Sequence, residues 1–291
     1  MEWRNSMKLG LSVIPRMLNP DTAKPFELQQ IAEYGGLDAM LASWKKQGVS
    51  HIEFRCIHPG DDAAYALACA ERVWAAGLQV TVHGTLPSAV GRFETVYPSL
   101  LPLLSAAKAY QPWVNITVHA YSSNEAADLA KLAANTNEIL SLWAEDAQSL
   151  GFRLALENNR SKGECDPGNH CDGVLSMLPP SELVGVCFDF GHHYYNMSIN
   201  DGTPDQLPPP EFLQRAFHTH IHALSNKKTH APFVGDAVMP LARYLAALQS
   251  AGYTGVYNLE LSVNLFEVAS YREAIDTSIR VLREALRTEN R

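Results

Sequence analysis

The sequence predicts an α/β protein folded as a (β/α)8 barrel. Three observations lead there. Eight short apolar runs alternate with segments of helical periodicity, six of those runs carry an Asp, Glu or His at or near the C-terminal end, and no composition break or low-complexity linker divides the 291 residues. Strict alternation implies a parallel sheet, and eight units in a chain of this length fit a closed barrel. The rival, an open doubly wound sheet, normally shows a Gly-rich fingerprint after its first strand, and none follows the first run here. We read residues 1–291 as one barrel domain, with 1–6 a loose N-terminal extension and Met7 a candidate alternative start.

Met7–Ile14 reads as the first strand. Residues 36–47 have apolar positions at helical spacing, and Gly48 stops them. His51–Ile57 is the second strand, with Glu53 and Arg55 on one face. Residues 61–76 form a helix opened by aspartates and closed by Gly77. Leu78–His83 is strand three, residues 91–110 are helical, and Trp113–His119 is strand four. A long helix is expected over 124–150, closed by Gly151, and then strand five at Phe152–Glu157. The polar loop 158–169 precedes a short helix at 172–178, and Val184–Asp189 is strand six. A Pro-rich loop at 201–210 leads to a short helix at 211–215. His218–His222 is strand seven, where period-two alternation puts three histidines on one face. A helix at 239–251, strand eight at Val256–Glu260 and an amphipathic helix at 271–288 complete the count.

The composition is that of an ordinary globular protein, 46% hydrophobic and 19% charged. The net charge is −8 and the basic residues are scattered. A protein that grips phosphate backbones usually carries a basic face, so a nucleic-acid partner is not favoured. Five cysteines, an odd number, form no paired framework, which points to a reducing, cytoplasmic setting. No apolar run approaches the roughly 20 residues that span a bilayer, so no membrane role is expected. A homo-oligomer is open.

Strands three to eight carry His83, His119, Glu157, Asp189, His220 and Glu260, at spacings of 36, 38, 32, 31 and 40 residues. In a barrel the C-terminal strand ends converge on one mouth, where active sites sit. A single strand-end Glu is most often a helix cap or a surface residue; six at the repeat of one βα unit favour a joint site. Three carboxylates crowded into a desolvated mouth repel one another toward protonation, and a divalent cation removes that problem. Glu157, Asp189, His220 and Glu260 give an oxygen-rich set suited to one Mn²⁺ or Mg²⁺, with Co²⁺ or Zn²⁺ possible. His192 is placed beside it, facing substrate rather than neutralising Asp189. His222 points the same way as His220, as a ligand or a substrate contact. His193 and His218 are expected in packing or loop roles, and His51 and His58 without chemistry. Arg160, Lys227 and Lys228 read as surface charge or as an anchor for a substrate anion. The segment Glu164–Cys171 lacks the second ligand pair of a zinc knuckle and reads as a loop with incidental thiols.

At this point the residues resemble a known family. Val82-His-Gly, Val118-His-Ala, Leu156-Glu-Asn, Phe188-Asp-Phe-Gly-His, Thr219-His-Ile-His and Asn258-Leu-Glu-Leu resemble the motifs of the xylose isomerase-like TIM barrels, over about residues 7–286. That superfamily holds sugar isomerases and epimerases, inosose dehydratases, hydroxypyruvate isomerases and endonuclease IV-type barrels. The resemblance implies that Glu157, Asp189, His220 and Glu260 bind one metal, that Glu157 and Glu260 act as an acid/base pair, and that His192 contacts substrate. His83, His119, His222 and His230 complete the substrate-facing set. Two departures stand out. Ala223 occupies a position often acidic in the family, and Lys228-Thr-His230 followed by Gly235-Asp-Ala replaces an Asp-x-His and Gly-Glu-Gly pair. The three-metal nuclease site draws on that Asp, so the nuclease reading weakens. The expected function is proton transfer next to a carbonyl on a small polyhydroxy carbonyl substrate. The alternatives are a metal-dependent phosphodiesterase, an inosose-dehydratase-like lyase or a non-catalytic sugar-binding barrel.

Overall fold

The structure is a computed structural model that describes residues 7–161 and 165–288; the expected extension 1–6 and residue Glu164 of the cysteine-bearing loop lie outside it. In chain order the elements are β1 (Lys8–Val13), α1 (Pro25–Glu33), α2 (Leu37–Lys46), β2 (Val49–Ile57), α3 (Ala63–Ala75), β3 (Gln79–Gly84), α4 (Phe93–Val96) and α5 (Leu101–Ala107). There follow β4 (Val114–His119), α6 (Leu129–Leu150), β5 (Phe152–Glu157), α7 (Cys171–Met177), β6 (Val184–Asp189), α8 (Phe190–Tyr195), α9 (Pro210–Gln214) and β7 (Ala216–Ile221). The chain ends with β8 (Ala223–Ser225), β9 (Lys228–Ala231), α10 (Leu241–Ser250), β10 (Val256–Leu259) and α11 (Tyr271–Thr288). Eight strands close a ring in the order β1-β10-β7-β6-β5-β4-β3-β2, and β8 with β9 makes a separate hairpin. The expected barrel is present.

Alternation along the strands sorts the side chains into two populations. Ile52 and Phe54, Val80 and Val82, Ile116 and Val118, Leu154 and Leu156, and Val186 and Phe188 are buried and pack in one continuous apolar cluster with the helices. Trp44 of α2, Trp143 of α6 and Leu282 of α11 belong to the same belt. The intervening residues face the barrel interior. Bonds between strands that are not neighbours in the ring show this, since they can only cross the inside: Glu53 of β2 reaches His218 and His220 of β7, and Asn115 of β4 reaches the Phe217 carbonyl. Barrel interiors are usually filled by Val, Ile and Leu. This one is largely polar, with Ser12, Glu53, Thr81, Thr117, His218 and Asn258 all buried in it.

Several boundaries differ from the sequence reading. The helical region expected at 91–110 is α4, a 3-10 turn at Pro98–Leu100 and α5, because Pro98 and Pro102 cannot donate into a continuous ladder. The helix expected from residue 124 begins at Leu129 after a 3-10 turn at Ala126–Asp128. Helices α1 and α8 and the hairpin were not expected. The hairpin turn places Asn226 at φ 49° and Lys227 at φ 61°, the two positive φ values of a type I′ turn.

Candidate metal centre

Each functional side chain stands at the end of a strand because the apolar run before it is held in the belt. Glu157 ends β5 and Asp189 ends β6; His220 lies next to last in β7, and Glu260 follows β10. In register, Glu157 lies beside His119 and Asp189 beside His220. All four predicted ligands meet: one donor atom from each of Glu157, Asp189, His220 and Glu260 lies within 4.8 Å of the others. His220 Nδ1 is 3.1 Å from Glu157 Oε2, 3.4 Å from Glu260 Oε2 and 3.9 Å from Asp189 Oδ2. These groups are essentially closed to solvent.

Two groups of histidines flank the four. On one side His119 Nε2 lies 3.0 Å and His83 Nε2 3.5 Å from Glu157 Oε2, while His83 Nδ1 faces Glu260 Oε1 at 3.7 Å. On the other, His230 Nε2 lies 3.3 Å from Glu260 Oε2. His192 Nδ1 is 3.2 Å from both Glu157 Oε1 and Asp189 Oδ2. The sequence places His192 toward substrate rather than as the neutralising partner of Asp189; in the fold its backbone N–H donates to Asp189 Oδ1 at 2.6 Å and its Nδ1 lies 3.2 Å from Oδ2. Ring exposure rises toward the rim, from none at His220 to 13% at His83 and 36% at His119.

His222 occupies a defined place. Its Nδ1 accepts the His230 backbone N–H at 2.8 Å, and its Nε2 lies 3.1 Å from Asp189 Oδ1. An Nδ1 that accepts leaves the proton on Nε2 in the neutral ring, so His222 donates to Asp189. The Asn158 amide brackets the Asp189 backbone, donating to its carbonyl at 2.9 Å and accepting its N–H at 2.8 Å. His230 holds a left-handed backbone, φ 62°, and stacks on His222 with centroids 4.2 Å apart. A strained non-glycine residue of this kind persists where its surroundings fix it.

Electrostatically the site is a cage of opposite charges. Burial acts to raise the Glu157 carboxyl, but His220 and then His119 overcome it and hold it well below the usual carboxylate range. Glu260 is likewise held down, against burial, by His220 and His230, and Asp189 by His192 and His222. Burial lowers His220, yet Cys187, Glu53, Glu157 and Glu260 together raise it well above an ordinary imidazole. His230 is pushed down to about 4, first by burial and then by His222.

The donor set fits a divalent cation. Both Glu157 oxygens, Glu260 Oε2 and His220 Nδ1 are enclosed, near one another and near histidine ring nitrogens but without a well-aligned hydrogen bond. Buried polar atoms are normally satisfied, and these four lie together within the Glu157, Asp189, His220 and Glu260 group. Ligands held about 2.1 Å from one ion stand about 3 Å apart as neighbours and about 4 Å apart across it, which matches the separations above.

Three participants escaped the sequence reading. Alternation puts Glu53 on one face with Arg55 and says no more; it is wholly buried and bonded to two histidines. Arg55 Nη1 reaches Glu260 Oε1 at 3.3 Å. His218, expected in packing or a loop, lies inside the barrel with Nε2 2.7 Å from Glu53 Oε2. The signal for all three was a charged or imidazole residue within a barrel strand. His193 packs against Phe188 and Tyr244 as expected. His58 is exposed and bonds to Thr85. Arg160 donates to Thr229 at 3.1 Å and covers the Tyr195 ring, whereas Lys227 and Lys228 are exposed. Cys165 and Cys171 are free thiols, and no cysteine joins a metal-competent cluster among the described residues.

The model of the Xylose isomerase-like TIM barrel family matches residues 31–285. The chain belongs to this family. Solved structures agree on the fold. A D-tagatose 3-epimerase-like protein covers 98% of this chain and 98% of its own at 19% identity and a TM-score of 0.62. The IOLI protein, described with a binding zinc atom, covers 97% and 99% at 16% identity and a TM-score of 0.63. An L-ribulose 3-epimerase covers 98% and 96% at 17% identity and a TM-score of 0.59. No curated protein matches the sequence. Among the described residues no helix is long and apolar enough to cross a membrane.

Proposed function

We propose that this barrel is a divalent-metal-dependent isomerase or epimerase that moves a proton next to a carbonyl on a small sugar or polyol-derived substrate. The observation that carries the reading is the convergence of Glu157, Asp189, His220 and Glu260, with enclosed atoms among them that lack a well-aligned hydrogen bond. Mn²⁺ or Mg²⁺ suits the oxygen-rich set, and Zn²⁺, present in the IOLI protein, or Co²⁺ suits its imidazole. The cation's contribution when bound is to stabilise negative charge that develops on substrate oxygens as a carbon proton leaves.

The remaining work falls to the chain. Glu157 and Glu260 come from β5 and from the end of β10, with His220 of β7 between them, so they face a substrate from two directions. One takes the carbon proton and the other returns a proton; side-chain acid/base transfer of this kind contributes about 10²–10⁴-fold. Against burial, His220 and then His119 hold Glu157 ionised, and His220 and then His230 hold Glu260 ionised. Either resting carboxylate can therefore accept the carbon proton, and the carboxyl that returns a proton first takes it from solvent. His83, on the partly open rim, and His192 hold substrate hydroxyls. Neighbours described as a D-tagatose 3-epimerase-like protein and an L-ribulose 3-epimerase support a ketose.

The test joins metal analysis of the purified protein to a solvent-deuterium screen over ketoses, inososes and keto acids. One ion per chain and deuterium at a carbon next to a carbonyl are expected. Three zinc ions with phosphodiester cleavage, or no exchange with any member of the panel, would overturn the proposal.

A further inference from the structure

Below the four candidate ligands lies a second polar tier that the reaction does not use directly. Glu53 is its centre. Ser12 Oγ donates to Glu53 Oε1 at 2.6 Å and Asn258 Nδ2 to the same oxygen at 3.1 Å. His218 Nε2 and His220 Nε2 lie 2.7 Å and 3.0 Å from Oε2. An ionised carboxylate accepts and cannot donate, and its two oxygens offer about four lone-pair sites. All four are therefore taken, and both rings must present N–H at Nε2. Glu53, His218 and His220 also lie close enough together to suggest a cation site of their own. The filled lone pairs and the hydrogen-bond distances argue against it.

We propose that Glu53 is the positioning residue of the metal centre. By taking the Nε2–H of His220 it fixes the ring's orientation and leaves Nδ1 as the nitrogen presented to the cation held with Glu157, Asp189 and Glu260. The inference rests on the metal-centre reading. A carboxylate behind a ligating imidazole settles the tautomer and strengthens the ligand, and losing such a partner commonly weakens metal binding by about 10–100-fold. Here the carboxylate is itself locked from three other strands, by Ser12 of β1, Asn258 next to β10's end and His218 of β7, so its place is fixed before any ion arrives. His218 adds a fourth donor without reaching the mouth: its Nδ1 has no partner.

The test is calorimetric titration of the purified protein with MnCl2, with Glu53→Gln and Glu53→Asp as variants, together with long-range ¹H–¹⁵N spectra of the histidine-labelled protein loaded with Zn²⁺. Wild type is expected to take one Mn²⁺, with His220 keeping its proton on Nε2. Glu53→Gln should bind about 10–100-fold more weakly, and Glu53→Asp, which restores the charge on a shorter arm, should recover part of the loss. Equal Mn²⁺ affinity in wild type and Glu53→Gln would overturn the positioning role while leaving the metal centre standing. So would a Zn²⁺-loaded wild-type spectrum with the His220 proton on Nδ1, a result that needs no variant to fold. Wild type that takes up no Mn²⁺ or Zn²⁺ would remove the metal centre itself, so the two failures are distinguishable.

Discussion

Replacing Gly191 by alanine adds one methyl group at the edge of the mouth, and the structure gives its consequence. A Cβ at this position would lie 1.9 Å from His222 Cε1 and 2.2 Å from its Nδ1, where ordinary contacts begin at 3.4 Å. The ring must retreat by about 1.5 Å, against the steep repulsive wall of the contact. Its freedom to move is limited, because the His230 ring is stacked against it with centroids 4.2 Å apart. Retreat also breaks the donor to Asp189 and the bond from the His230 backbone. Overpacking of this kind costs about 1–3 kcal/mol, and a lost hydrogen bond to a charged group about 1.5–3 kcal/mol; the two overlap, so a net loss of about 2–4 kcal/mol is expected. Mn²⁺ affinity should fall at least about 10-fold, the lower end for a displaced ligand support. Chemical denaturation and calorimetric titration read the two quantities. A Gly191→Ala protein with wild-type stability and wild-type Mn²⁺ affinity would refute the placement of His222 against Asp189.

Other outcomes follow from the same geometry. Glu260→Gln should fold normally and lose about 10²–10⁴-fold in the rate of solvent-deuterium exchange into whichever substrate the screen identifies. Chelation of the wild-type protein should lower its melting temperature, since an ion at 100 times its Kd stabilises the native state by about 2.7 kcal/mol; a melting curve unchanged by EDTA and by added Mn²⁺ would count against the centre. The His51 ring is pushed from 6.5 to about 3, by burial first and then by His218 and Lys8. A depressed folded-state value means that stability is complete above pH 6.5 and falls as the unfolded chain takes up a proton the native state refuses, by about 2 kcal/mol at pH 5, levelling off near pH 3. His51→Gln should show a smaller loss between pH 7 and pH 5 in urea melts. Lys227→Gly relieves the positive φ of the hairpin turn and should stabilise by about 0.5–1 kcal/mol in the same melts.

The barrel and its four strand-end residues were legible for one reason: in a parallel α/β chain the end of an apolar run marks the end of a strand, and a carboxylate or imidazole there has one place to point. Glu157, Asp189, His220 and Glu260 meet because that rule holds on consecutive strands of the ring. Glu53 and His218 were not legible because they sit in mid-strand. Alternation shows that Glu53 and Arg55 share a face, but whether that face meets helices or lines a closed interior depends on ring closure. The rule that barrel interiors are apolar pointed the wrong way. The hairpin escaped for a local reason: its turn is Asn226-Lys227, without the glycine that announces a type I′ turn. The partners of His192 and His222 depend on this hairpin and on α8, so the tautomer of His222 could only be read from the folded chain.

The polar tier around Glu53 also bears on how the ring shuts. The junction between β1 and β10 joins the first and last strands of the ring in chain order, with Lys8 opposite Val256 and Leu11 opposite Leu259. The bond from Asn258 to Ser12 spans 246 residues of sequence. Contacts so remote are slow to form, because loop entropy must be lost before they give anything back. Apolar contacts alone would tolerate a slipped alignment there, whereas directional bonds do not. A one-residue slip of β1 turns Ser12 to the opposite face and leaves Glu53 with an empty acceptor inside the barrel. The latch therefore proofreads the seam, and only a ring sealed in the right register brings His220 to bear on the mouth.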